Sequence, residues 1–293
     1  MILAIGLCSG FVAVTAQEAV TAQENDETGS STEAPVQRAD LSEANALVRE
    51  AKYAEAEAAL APLQEEFPDD SRLLLMRGEV LLALSRAEDA LPLLERCSEL
   101  DPERARVHFN LATARATTGN LDGALEAFAK ELQVNEDPEV GVLVRLNRSM
   151  LFQQRKRWDE AIEELRAVLA IQPGRVEVFG DIASLQIQAG KTRMAGETLA
   201  AGLEAGFRSA QHHYSLGARL FRDKEYEPAV AAFTHALAIE PELANAERSL
   251  AASLEQLGRE EEAIAHLERY LELAPTARDA EAIREQLKNS KNR

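Results

Sequence analysis

Small and large apolar residues recur along this chain at a fixed spacing, and prolines mark it. Pro68, Pro102, Pro173, Pro241 and Pro275 are separated by 34, 71, 68 and 34 residues. Two gaps equal one period of 34, one equals two periods, and one equals two periods plus three residues. Glu136 and Phe207 stand where two further marks would fall. Twelve residues before the seven marks lie Ala56, Ala90, Ala124, Ala161, Ala195, Ala229 and Ala263, all alanine. Eight before lie Leu60, Leu94, Phe128, Leu165, Leu199, Phe233 and Leu267, all large and apolar. Twenty-four before lie Ala44, Gly78, Ala112, Ser149, Ala183, Gly217 and Ala251, all small. The pattern predicts two helices per period.

Helix packing gives the spacing its physical meaning. A small residue in the middle of each helix lets the neighbouring backbone approach, and a large residue one turn later in the second helix fills the gap. Proline then ends the second helix. Gly119, Gly190 and Gly258 fall at one point between the two helices of three periods, where a left-handed residue would close the first helix.

At these residues the chain resembles the tetratricopeptide repeat family, over roughly residues 37–277. The resemblance implies an all-α fold, a right-handed superhelical solenoid of about seven helix-turn-helix repeats. Their bounds are 37–70, 71–104, 105–138, 142–175, 176–209, 210–243 and 244–277, followed by a capping helix and tail over 278–293. In the cap, Ala282, Ile283 and Leu287 are expected to face inward, and Arg284, Glu285 and Lys288 outward. At the family's aromatic position near the start of the first helix stand Asp40, Leu74, His108, Arg145, Phe179, His213 and Glu247, of which Phe179 keeps the aromatic. Looser packing is expected at Arg145 and Glu247. The third repeat lacks its proline, and residues 139–141 are extra, so a local bend is expected between the third and fourth repeats.

Ahead of the repeats, residues 1–14 are apolar apart from Ser9, and Val14-Thr15-Ala16 supplies the small residues that a signal peptidase requires. Residues 1–16 therefore read as a signal peptide cleaved after Ala16, and the recurrence of Ala13–Glu18 as Ala19–Glu24 offers a second cleavage point after Ala22. Their apolar run is shorter than the roughly 20 residues that a membrane span needs. Residues 17–39 lack hydrophobic periodicity and read as an acidic, disordered linker. The mature chain is then exported, periplasmic or secreted, of bacterial type, with no stable membrane insertion.

Composition narrows the choice of partner. Alanine, leucine and glutamate dominate, and aromatic residues make up only 5% of the chain, which disfavours a sheet. A net charge of −18 argues against a nucleic-acid backbone as ligand. Of the two cysteines, Cys8 lies in the leader, so Cys97 has no internal partner and reads as a buried, inert thiol. Cys8 also lacks the small preceding residue that lipidation would require. His212 and His213 are adjacent and so point about 100° apart on a helix, which does not suit a metal site. Asn147-Arg148-Ser149 matches a glycosylation sequon within a helix. No catalytic, metal or cofactor site is expected, and the chain is not read as an enzyme.

The resemblance places partner binding on the concave face lined by the first helices. Mapped onto this sequence, that groove contains Arg72, Leu75, Arg106, Phe109, Leu146, Met150, Ile187, Tyr214, Phe221, Arg222 and Arg248. The stripe carries few carboxylates, chiefly Glu79, Glu177 and Glu255. An apolar trough flanked by arginines suits a protein or peptide with apolar anchors and some acidic residues. A competing reading has Phe109, Leu146 and Phe221 simply packing between repeats. Asn110 and Asn147 suggest a clamp for a terminal carboxylate, but Leu75, Glu79, Phe109 and Thr113 stand where such a clamp needs lysine and asparagine. The expected function is a non-catalytic scaffold in the bacterial envelope. The alternative is an accessory subunit that positions an envelope-biogenesis enzyme acting on polysaccharide or peptidoglycan.

Overall fold

Six of the seven 34-residue periods fold as a pair of packed helices joined by a tight turn. The structure, a computed structural model, describes residues 38–290. The leader and all but the end of the linker lie outside the described residues. Contacts divide the chain into two compact units, Met1–Lys156 and Arg157–Arg293. The first holds α1 (Ser42–Arg49), α2 (Tyr53–Glu66), α3 (Ser71–Ala83), α4 (Ala87–Leu100), α5 (Val107–Thr117), α6 (Leu121–Val134) and α7 (Pro138–Gln154). The second holds α8 (Trp158–Ile171), α9 (Val178–Gln188), α10 (Thr192–Glu204), α11 (Ala210–Arg222), α12 (Tyr226–Ile239), α13 (Ala244–Gln256), α14 (Glu260–Leu273) and α15 (Ala280–Ser290). The described residues contain no strand, and the fold is all-α. The division falls between α7 and α8, inside the fourth repeat.

The small-large register forms the core. All seven alanines of the second helices are buried, and so are the seven large residues one turn later. Two glycines show how tight the contact is. A Cβ added at Gly78 would lie 2.6 Å from Leu94 Cδ2, and one at Gly217 would lie 2.7 Å from Phe233 Cε1. Gly78 and Gly217 therefore face the large residues of their own second helices, sixteen positions on.

The turns are more uniform than the three glycines suggest. A left-handed residue closes the first helix in every repeat: Ala51, Ser85, Gly119, Lys156, Gly190, Lys224 and Gly258, with φ between 56° and 88°. The next N–H bonds back across the turn, as from Arg86 to the Leu81 carbonyl at 2.8 Å and from Glu225 to that of Leu220 at 2.9 Å. A side chain in this conformation costs about 1–2 kcal/mol, and part of that is offset because glycine is more costly to order. Lys224→Gly is expected to stabilise the second unit by about 0.5–1 kcal/mol, and Gly258→Ala to destabilise it by about as much. Urea midpoints that move in the opposite directions would contradict this.

The two missing prolines are replaced by other devices. Gly206, at φ 97°, ends α10, and the Phe207 N–H bonds to the Gly202 carbonyl at 2.7 Å. In the third repeat, the inserted residues 139–141 form the first turn of α7. Asp137 Oδ1 accepts from the Glu139 N–H at 2.8 Å, and Pro138 opens the helix.

Three expectations need correction. Ala39 does not belong to a linker: it is buried, and its N–H bonds to Asp70 Oδ2 at 3.0 Å. In α15 the inward face is Ala280, Ile283 and Leu287, at the i, i+3, i+7 spacing, while Ala282 is exposed. Packing at Glu247 is not loose. Its side chain is buried and reaches His266 Nδ1 at 2.6 Å, linking α13 to α14.

Candidate functional site

Within each unit the first helices lie side by side: α3 contacts α5 in the first, and α9, α11 and α13 follow one another in the second. Their faces turned away from the second helices are where the sequence places a partner.

In the first unit this face is largely satisfied from within. Leu75 and Phe109 are only 4% and 2% exposed, and Phe109 meets Phe128 edge-on at 5.5 Å. Both are core residues and not groove residues, because the close approach of α3 to α5 covers them. Arg72 bonds to Asp70 at 2.9 Å and to the Ala39 carbonyl at 3.3 Å, fastening the chain ahead of α1 to the start of α3. Arg106 lies 3.6 Å from Glu79, whose Oε1 also accepts from Asn110 Nδ2 at 2.8 Å. Burial pushes the Glu79 carboxyl above its usual range, against the pull of Arg106 and the Asn110 hydrogen bond. Asn110 is thus engaged by the chain's own carboxylate. Asn147, 1% exposed, donates to the Leu143 carbonyl at 2.9 Å, which also places the sequon inside the fold. Leu146 and Met150, on α7, are half-buried and remain partly open.

A residue that sequence reasoning missed organises the start of α5. Glu131 has no exposed surface, yet its carboxylate accepts the N–H of Arg106 and of Phe109, both at 3.0 Å, and Asn135 Nδ2 at 2.8 Å. It caps α5 from α6, with Arg106 held in the left-handed conformation at φ 72°. The repeat register offers one signal: Glu131 stands five residues before Glu136, where other repeats have Leu63, Cys97, Val168 and Ala236. A carboxylate there requires a partner. Cys97 is buried, donates to the Ser71 carbonyl at 3.2 Å, and burial pushes its thiol up to about 12, which leaves it unreactive.

In the second unit, Tyr214, Ala218 and Phe221 form an i, i+4, i+7 stripe on α11, each half-buried. Tyr214 packs on Phe233 at 5.6 Å and Phe221 on Tyr226 at 5.5 Å, so both rings are anchored while one side stays accessible. Ile187, on α9, joins the same core half-exposed. Arg219 donates to the Ile187 carbonyl at 3.0 Å and fixes the end of α9 against α11. Arg248 is paired with Asp279, which a hydrogen bond from Tyr270 at 2.7 Å and Arg248 itself hold below the usual carboxylate range. Arg222 is exposed and has no partner among the described residues. The picture of a trough flanked by free arginines is therefore corrected: Arg72, Arg106 and Arg248 are neutralised internally.

The histidines do not converge on a metal site. His213 is 5% exposed and lies 5.4 Å from the His235 ring, and His212 Nδ1 meets Ser209 Oγ at 2.7 Å. Among the described residues, no cluster of three or more His, Cys, Asp or Glu side chains could hold a metal ion. No helix among them is long and apolar enough to cross a membrane. A hollow of about 490 Å³ beside α2 is lined by Ala58, Pro62, Glu65 and Arg77, but Arg77 is already bonded to Glu57 at 2.8 Å.

Comparison with known proteins agrees with the repeat register. Three family models, each described as tetratricopeptide repeat, match residues 41–97, 81–142 with 152–220, and 216–288. No curated protein matches the chain. Among solved structures, a chain of the Naa15/Naa10 complex bound to HypK-THB is 15% identical with a TM-score of 0.61, over 84% of this chain and 38% of that one. A crystal structure of MamA is 21% identical with a TM-score of 0.44, over 56% of this chain and 95% of that one. MamA from Desulfovibrio magneticus RS-1 is 17% identical with a TM-score of 0.43, over 59% and 96%.

Proposed function

Because the chain belongs to the tetratricopeptide repeat family, we propose that it is a non-catalytic scaffold binding a segment of a partner protein along the open faces of its first helices. The supporting observation is the set of half-buried apolar side chains those faces keep accessible: Leu146 and Met150 in the first unit, and Ile187, Tyr214 and Phe221 in the second. Ile187, Tyr214 and Phe221 are anchored in the core on one side, so a partner gains apolar contact without having to order those side chains first. The apolar segment over residues 1–14, ending in Val14-Thr15-Ala16, supports export and hence work in a bacterial envelope.

A photo-crosslinking residue placed at Met150 or Tyr214 in the native host is expected to trap a partner protein. At Ala200 or Ala238, exposed on second helices, it is expected to trap none. Equal trapping at all four positions would refute the face. The chain recovered from the envelope is expected to begin at Gln17.

A further inference from the structure

We infer that this scaffold selects partners through Arg222, which binds a carboxylate set beside an apolar side chain of the partner segment. The inference rests on the proposed binding face and specifies its chemistry. Four arginines of the first-helix faces were candidates for such a contact. Arg72 is bonded to Asp70, Arg106 is paired with Glu79, and Arg248 is paired with Asp279. A guanidinium already matched to a carboxylate in its own chain gains little from a second one. Arg222 alone of the four is exposed without a partner among the described residues, in a protein whose net charge is −18. In so acidic a chain an unmatched cation beside an apolar stripe is a specific feature, and a fork of N–H donors suits a carboxylate.

Helix geometry places the apolar part of the ligand. Arg222 follows Phe221 and stands four residues after Ala218, so the guanidinium flanks the stripe that begins at Tyr214. The Tyr214 hydroxyl makes no hydrogen bond among the described residues and can accept or donate one to a bound backbone. Arg219, by contrast, is held by Asp223 at 2.7 Å and by the Ile187 carbonyl, and serves to position α9. The occupant is therefore a protein segment with a large apolar side chain seated between Ile187, Tyr214 and Phe221, and an aspartate or glutamate reaching Arg222.

The test is selection from a displayed library of random twelve-residue peptides on the purified chain. Recovered sequences are expected to pair an aromatic or large aliphatic residue with a nearby acid. Replacing that acid by its amide should weaken binding about tenfold, as should Arg222→Glu, and the two changes together should cost little more than one. Arg248→Glu should leave the same peptides bound. Peptides selected without an acidic preference, or equally well bound by Arg222→Glu, would overturn this inference while leaving the scaffold reading intact. Recovery of no peptide at all would overturn both.

Discussion

Replacing Glu131 by leucine is expected to lower the stability of the first unit by about 3 kcal/mol, because it orphans one buried and one half-buried backbone donor at about 1–3 kcal/mol each. Leucine has nearly the right volume, and Leu63, Val168 and Ala236 occupy the equivalent place in other repeats, so a clash is not the cause. The loss arises because the N–H groups of Arg106 and Phe109 have no other acceptor within the turn. Glu131→Gln keeps one acceptor oxygen and turns an amide N–H₂ towards the second donor, so about half the loss is expected. Urea unfolding gives the magnitude, and amide exchange gives the place: the first turn of α5 should lose protection before α3 or α4. A loss below about 1 kcal/mol would mean that the carboxylate is not the cap.

The contrast between Glu131 and its neighbours shows what the sequence makes legible. Seven alanines and seven large residues in register were readable because a period of 34 averages over seven copies, and each position carries the same packing demand wherever it recurs. The left-handed turn residue was visible only where it is glycine. At Ala51, Ser85, Lys156 and Lys224 the same backbone is imposed by the hairpin on residues that do not announce it. The face residues were harder still. Leu75 and Leu146 stand at equivalent positions, yet one is buried and the other half-open, which depends on how closely α3 and α5 approach. The arginines could not be sorted by residue type at all. Whether a cation is free depends on carboxylates 27 or 31 residues away, as Glu79 is to Arg106 and Asp279 to Arg248.

Acidification from pH 7 to pH 4 is expected to weaken the second unit, with His213 as a main cause. The His213 imidazole is 5% exposed on α11 and faces the His235 ring at 5.4 Å, with His212 beside it. Burial lowers it to about 4, and the two neighbouring histidines push in the same direction. Above pH 6.5 the ring is neutral folded and unfolded, and it costs nothing. Below 6.5 the unfolded chain takes up a proton that the folded chain refuses, so stability falls until about pH 4 and then levels off. From the ordinary value of 6.5 to about 4, at 1.36 kcal/mol per unit, the loss is at most about 3 kcal/mol. Phe179 occupies the equivalent place one repeat earlier, so His213→Phe keeps the ring and removes the proton site. The carboxylates titrate in both proteins, so the informative quantity is the difference between them. Wild type should lose up to about 3 kcal/mol more than His213→Phe between pH 6.5 and 4, and the two curves should run parallel above pH 7. Parallel curves through the acid range would mean that the folded state accommodates an imidazolium at His213, so that burial does not suppress its charge.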